Sequence, residues 1–176
     1  NIKWMLWSDM YLAQGEGPDA TNAPSAEEAK FRRDALKKIA NKYGISEIGM
    51  CDWHYAGVDA KEFDSVEIWN REGFQTIAST WYVPSNIRNF TLRTIEEKGF
   101  GLLQTTWAGY NFFIEDNVTC HDQFSAYLLA GDYAWSGRKE EPQNLPYDYR
   151  KEFWNNWFLN LTQSSNGQID LSKLTD

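Results

Sequence analysis

Thr76-Ile77-Ala78-Ser79-Thr80-Trp81-Tyr82 is the stretch on which the fold turns. Its first part is small and apolar, as a strand covered on both faces requires. Its second part turns polar and aromatic. Three further runs share this plan: Lys3-Trp4-Met5-Leu6-Trp7-Ser8-Asp9, Glu47-Ile48-Gly49-Met50-Cys51-Asp52-Trp53-His54 and Gly101-Leu102-Leu103-Gln104-Thr105-Thr106-Trp107. In parallel α/β proteins, ligands bind at the carboxyl ends of the strands. Four strands ending in Trp7, Trp53, Trp81 and Trp107 therefore predict one shared rim lined with indoles.

Helical segments separate the strands. Ser25 with Glu28 reads as a capping box. Ala29, Leu36, Ile39, Ala40 and Tyr43 follow at helical spacing, and Gly44 stops the helix. Lys30, Arg32, Arg33, Lys37 and Lys38 read as its solvated face. Phe63, Val66, Ile68 and Trp69 mark a second helix ending at Gly73. Pro84 suits the first turn of a third, which carries Ile87, Phe90, Leu92 and Ile95 and ends at Gly99. A fourth runs from about His121 to Trp135. The last two intervals between strand-end tryptophans are close to the roughly 30 residues that each unit of a (β/α)₈ barrel uses. The first is longer because a loop with Gly15, Gly17, Pro18, Asp19 and Pro24 intervenes.

The expected class is thus α/β: the C-terminal half of a TIM-barrel-type (β/α)₈ fold, four β-α units with parallel strands, plus a C-terminal helix. Residues 1–136 form the half barrel. Residues 137–176 comprise a charged loop, an amphipathic helix over Lys151 to Gln163 and a tail leading to a further domain. That helix carries Phe153, Trp154, Trp157, Phe158 and Leu161 as a docking stripe. Gln168-Ile169-Asp170-Leu171 alternates like a strand.

The chain has 176 residues, a net charge of −8 and a pI near 4.8, which argue against nucleic acid or an anionic membrane as partner. No run is long and apolar enough to span a membrane. The chain begins at Asn1 rather than Met, which reads as a processed chain or an excised piece. Cys51 and Cys120 make neither a disulfide framework nor a zinc site and read as free thiols. Asn89-Phe90-Thr91, Asn117-Val118-Thr119 and Asn160-Leu161-Thr162 are glycosylation sequons. Aromatics reach 16% with nine Trp. Such a content suits a tryptophan-rich core, or stacking on the flat apolar face of a sugar ring.

Trp7-Ser8-Asp9, Asp52-Trp53-His54-Tyr55, Ser79-Thr80-Trp81-Tyr82 and Thr105-Thr106-Trp107-Ala108-Gly109-Tyr110-Asn111 together resemble the C-terminal half of a glycoside hydrolase (β/α)₈ barrel. The helix Ser125 to Ser136 extends the likeness. The group it resembles is family 20, the β-N-acetylhexosaminidases. The resemblance implies a carbohydrate-active protein acting on oligo- or polysaccharide, needing no cofactor or metal, and placed in an extracellular or periplasmic setting. It implies substrate contacts from Trp7, Trp53, His54, Trp81, Tyr82, Trp107, Tyr110 and Asn111, with Tyr82 the candidate for orienting a substrate acetamide. The family's catalytic Asp-Glu pair ends its fourth strand, so it falls upstream of Asn1 if these strands are the fifth to eighth. Ala108 stands where the family usually has a Glu.

Glycoside hydrolysis uses two carboxyl groups, ~5 Å apart for retention or roughly 6.5–9.5 Å for inversion. Within this chain Asp9 and Asp52 are the strand-end acids, hence the candidate catalytic pair if their strands are neighbours. Two other readings stand beside this: a non-catalytic carbohydrate-binding barrel, and a metal-dependent barrel hydrolase using Asp9, Asp52 and His54. A half barrel also needs either a missing N-terminal half or a homodimer partner to cover its edges.

Overall fold

A computed structural model of the chain describes residues 4–107 and 120–158, with side chains to 156. Strands β1 (Trp4–Trp7), β2 (Ile48–Trp53), β3 (Gln75–Thr80) and β4 (Gly101–Gln104) form one parallel sheet in sequential order. Helices α1 (Ala26–Tyr43), α2 (Asp64–Glu72) and α3 (Pro84–Glu96) connect them. Helix α4 (His121–Ser136) and the short α5 (Tyr149–Phe153) follow β4. The α/β class and the four parallel strands are as expected.

Register assigns each side chain to a face, because successive residues of a strand point to opposite sides. Ile48 and Met50 lie on the helix side, in one core cluster with Ala40, Ile68, Trp69 and Phe74. Ala78 joins Phe63, Val66 and Phe90, and Leu102 packs against that group and the α4 cluster of Ala126, Leu129 and Tyr133. Cys51, paired with Trp7 and Ile77, belongs to the opposite face. There a Cβ on Gly49 would come 2.9 Å from Ile77 Cδ1 and would make that side-chain tip move aside.

Local details depart from the sequence reading. Ser25 accepts the Glu28 N–H, but the Glu28 carboxylate binds Arg32 instead of closing the box. Gly44 and Gly73 cap their helices with positive φ, whereas Lys98, not Gly99, takes the left-handed turn after α3. The region after α4 is not all loop. Pro142–Asn144 forms a 3₁₀ turn, and α5 starts at Tyr149 with Asp148 as its cap, then passes into a π-helical turn, Trp154–Phe158. Phe153 and Trp154 pack their rings on His121 at the start of α4, as a docking stripe should. The Gln168 strand lies outside the described residues.

Helix α1 is docked differently from its apolar pattern. Arg33 is buried; it pairs with Glu16 and Glu72 and lies over the Trp69 ring. Lys37 also reaches Glu72. Phe31, Ile39 and Tyr43, by contrast, are 66, 52 and 68% exposed. The solvated face expected for Arg33 and Lys37 is therefore partly the docking face. Partly buried carboxylates, Glu16 on the loop and Glu72 on α2, decide this, since a buried guanidinium needs partners.

Candidate functional site

All four strand-end indoles fall on the sheet face opposite the helices. Trp7 is level with Cys51, and Trp53 is level with Ser79. Thr80 pairs with Gln104, so Trp81 and Trp107 continue the same alternation just past their strands. The rings form a connected row. Trp53 and Tyr55 have centroids 5.2 Å apart, Tyr55 and Trp81 5.3 Å, and Trp81 and Tyr82 4.3 Å.

Three of the four indoles are anchored by their N–H, as amphipathic rings usually are. Trp53 Nε1 donates to Asp9 Oδ1 at 3.1 Å, and Asn22 Nδ2 holds the other Asp9 oxygen at 2.8 Å. Trp81 Nε1 donates to Gln123 Oε1 at 2.9 Å, and Trp107 Nε1 to Tyr55 OH at 2.7 Å. Tyr55 OH in turn meets Thr105 Oγ1, which donates to the Thr80 carbonyl. Trp7 and Trp107, on the two outer strands, are 48 and 63% exposed.

Asp52 and His54 do not reach this floor. Asp52 neighbours Trp53 in a strand, so the two must face opposite sides, and Asp52 points into the helix layer. It is fully buried and accepts the Ser65 hydroxyl at 2.7 Å. His54 is also fully buried, with Nδ1 2.9 Å from Asp19 Oδ1, and Nε2 2.9 Å from Ser65 Oγ and 3.3 Å from Asp52 Oδ1. Gly17 lies over the ring, where a Cβ would sit 2.5 Å from His54 Cε1. Burial alone would push the imidazole toward neutrality. The Asp52 charge and the hydrogen bonds to Asp19 and Asp52 outweigh it and raise the pKa from 6.5 to about 9. Burial likewise opposes the Asp52 charge, but the cation and the His54 and Ser65 hydrogen bonds hold its pKa below the usual value.

Ser65, His54 and Asp19 have the distances of a nucleophile triad but the wrong proton directions. A protonated His54 donates at both nitrogens, Ser65 gives its proton to Asp52, and no solvent reaches Ser65. This cluster is a buried lock that fastens the β1–α1 loop: Asp19 Oδ2 also accepts the Tyr55 and Ala56 N–H groups.

Of the sequence candidates, the structure brings together Asp9, Trp53, Trp81 and Trp107, and places Trp7 on the same face; Tyr82 meets Trp81 edge-on but packs into the helix-side cluster of Ile87, Ala126 and Leu129. It separates Asp9 from Asp52, so the two do not flank a common bond, and it removes His54 from ligand reach. Tyr110 and Asn111 lie outside the described residues. Two further members are Tyr55, which stands in the Asp52-to-Tyr55 motif but is not among the expected substrate contacts, and Gln123. Tyr55 was legible by alternation, two residues beyond Trp53. Gln123 carried no signal. Among the described residues no group of three His, Cys, Asp or Glu stands close enough to hold a metal. Neither Cys51 nor Cys120 forms a disulfide among the described residues. The Asn89 sequon is closed to modification in the fold, since Asn89 Nδ2 donates to the Val58 carbonyl and Thr91 is buried.

No protein-family model, curated protein or solved structure matches the chain.

Proposed function

We propose that the aromatic floor binds oligo- or polysaccharide, and that the chain is the substrate-binding half of a glycoside-hydrolase-type (β/α)₈ barrel of hexosaminidase-like character. The observation that carries this reading is the placing of four strand-end indoles on one face, with three of them tied down by their N–H groups. Anchored edges leave ring faces available for the apolar side of a sugar, while Asp9 and Tyr55 supply polar atoms beside them. Titration of tryptophan fluorescence with chitotriose is the test. Saturable quenching is expected, and Trp107→Ala should weaken it about tenfold, a loss of roughly 1.4 kcal/mol. No response from the wild-type chain would overturn the proposal.

The chain by itself should not turn over aryl glycosides. Asp9 is occupied by Trp53 and Asn22, and Asp52 is sealed behind the sheet. This occupancy equally favours a non-catalytic sugar-binding barrel; hydrolysis by the longest native form of the protein separates the two. The metal-hydrolase reading loses its donor set, because Asp52 and His54 face away from Asp9.

The outer strands complete the reading. Trp4 and Met5 on β1 are 51 and 53% exposed, and the stripe Phe31, Ile39 and Tyr43 lies open on α1. An unprotected strand edge invites pairing, and exposed apolar patches mark interfaces. The half-barrel reading assigns both outer strands to further β-α units, from an N-terminal half or from a second copy. Sedimentation of the purified chain checks this: association is expected, and a cooperative, strictly monomeric fold would contradict it.

A further inference from the structure

Gln123 lies in the first turn of α4, away from the strands, yet it meets the floor at three points. Its Oε1 accepts Trp81 Nε1 at 2.9 Å, Thr106 Oγ1 at 3.1 Å and the Trp107 N–H at 2.7 Å. A carbonyl oxygen has two lone pairs, so three donors saturate it. They also determine the amide's orientation, because the Nε2 hydrogens could not face three donors.

The sheet does not set these positions. The last ladder bond between β3 and the segment after β4 runs from Thr105 N to the Thr80 carbonyl. Trp81 and Trp107 both lie past it. Beyond that point the indole of Trp81 is held by Gln123, and Trp107 is held by Gln123 through its backbone and by Tyr55 through its ring. One oxygen on α4 thus couples the ends of two neighbouring strands.

We infer that Gln123 is the positioning residue of the floor, the group that sets where Trp81 and Trp107 stand relative to each other and to Tyr55. Its meaning for ligand binding rests on the saccharide proposal; its effect on the indoles does not. A carboxylate at this position offers the same acceptor and binds neutral donors more strongly. A leucine fills similar space and leaves three donors without a partner.

The experiment compares Gln123→Leu and Gln123→Glu in the full chain, below their melting temperatures. Near-ultraviolet circular dichroism reports indole order, and chitotriose titration reports binding. Gln123→Leu should lose tryptophan fine structure and bind chitotriose about tenfold or more weakly, the equivalent of losing one or two hydrogen bonds. Gln123→Glu should restore both. A lower melting point for Gln123→Leu with an unchanged spectrum and unchanged affinity would show a merely structural role and overturn the inference. If Gln123→Leu does not fold, Gln123→Asn withdraws the same oxygen by one methylene and should give the same losses. If the wild-type chain ignores chitotriose, the saccharide proposal fails, and the spectra alone decide the positioning role.

Discussion

Asp52→Ala should lower the folding stability by about 3–5 kcal/mol, the usual consequence of removing one partner of a buried ion pair. The reason lies in what is left behind. His54 is fully buried and carries its charge because Asp52 and Asp19 flank it. Without Asp52, the ring must either shed its proton or remain a poorly compensated cation among Phe63 and Phe90, whose centroids lie 6.1 and 5.6 Å away. Ser65 also loses the acceptor for its hydroxyl. Domains are usually stable by ~5–15 kcal/mol, so the change takes a large share. Urea denaturation measures it as a drop in midpoint. Asp52→Asn keeps the volume and should cost less. A midpoint shift for Asp52→Ala no larger than that of a surface substitution would show that the cluster does not hold the fold.

Alkaline pH is the second large lever. The His54 pKa is about 9 when folded and near 6.5 when unfolded. Between these values the native chain holds a proton that the unfolded chain has released, so stability falls as pH rises. The contribution is complete below 6.5 and gone above about 9. At about 1.4 kcal/mol per pKa unit, a few kcal/mol are at stake. Loss of the proton also removes the charge that both Asp19 and Asp52 face, and so weakens the fastening of the β1–α1 loop. On the acid side, Asp52 has a lowered pKa, so its share is lost as pH falls through that lowered value. Chemical denaturation from pH 6 to 9.5 provides the test. His54→Gln should flatten the alkaline limb, and a flat wild-type profile across that range would refute the charged-histidine account.

The fold was largely legible because its signals are local. Short apolar runs, glycines at the ends of α1 and α2, and Pro84 at the start of α3 each act through the backbone of a few neighbouring residues. The shared rim was legible too, since parallel strands in sequence order put their carboxyl ends together. The face of each residue was open to the same logic. Asp52 and Trp53 are adjacent in a strand and cannot serve one pocket, which already separated the acid from the indoles.

Sequence alone thus determined the four β-α units, their parallel order and the indole-bearing ends. Tertiary structure decided which polar groups serve the rim and which serve the core. Arg33 is buried because Glu16 and Glu72 arrive from the loop and from α2. His54 becomes a cation because Asp19, Ser65 and Asp52 close around it from three separate segments. Gln123 meets Trp81 and Trp107 only once α4 has docked. Periodicity records how much of a segment is covered. The partners of a buried charge or amide come from distant parts of the chain, and only packing brings them within hydrogen-bond reach.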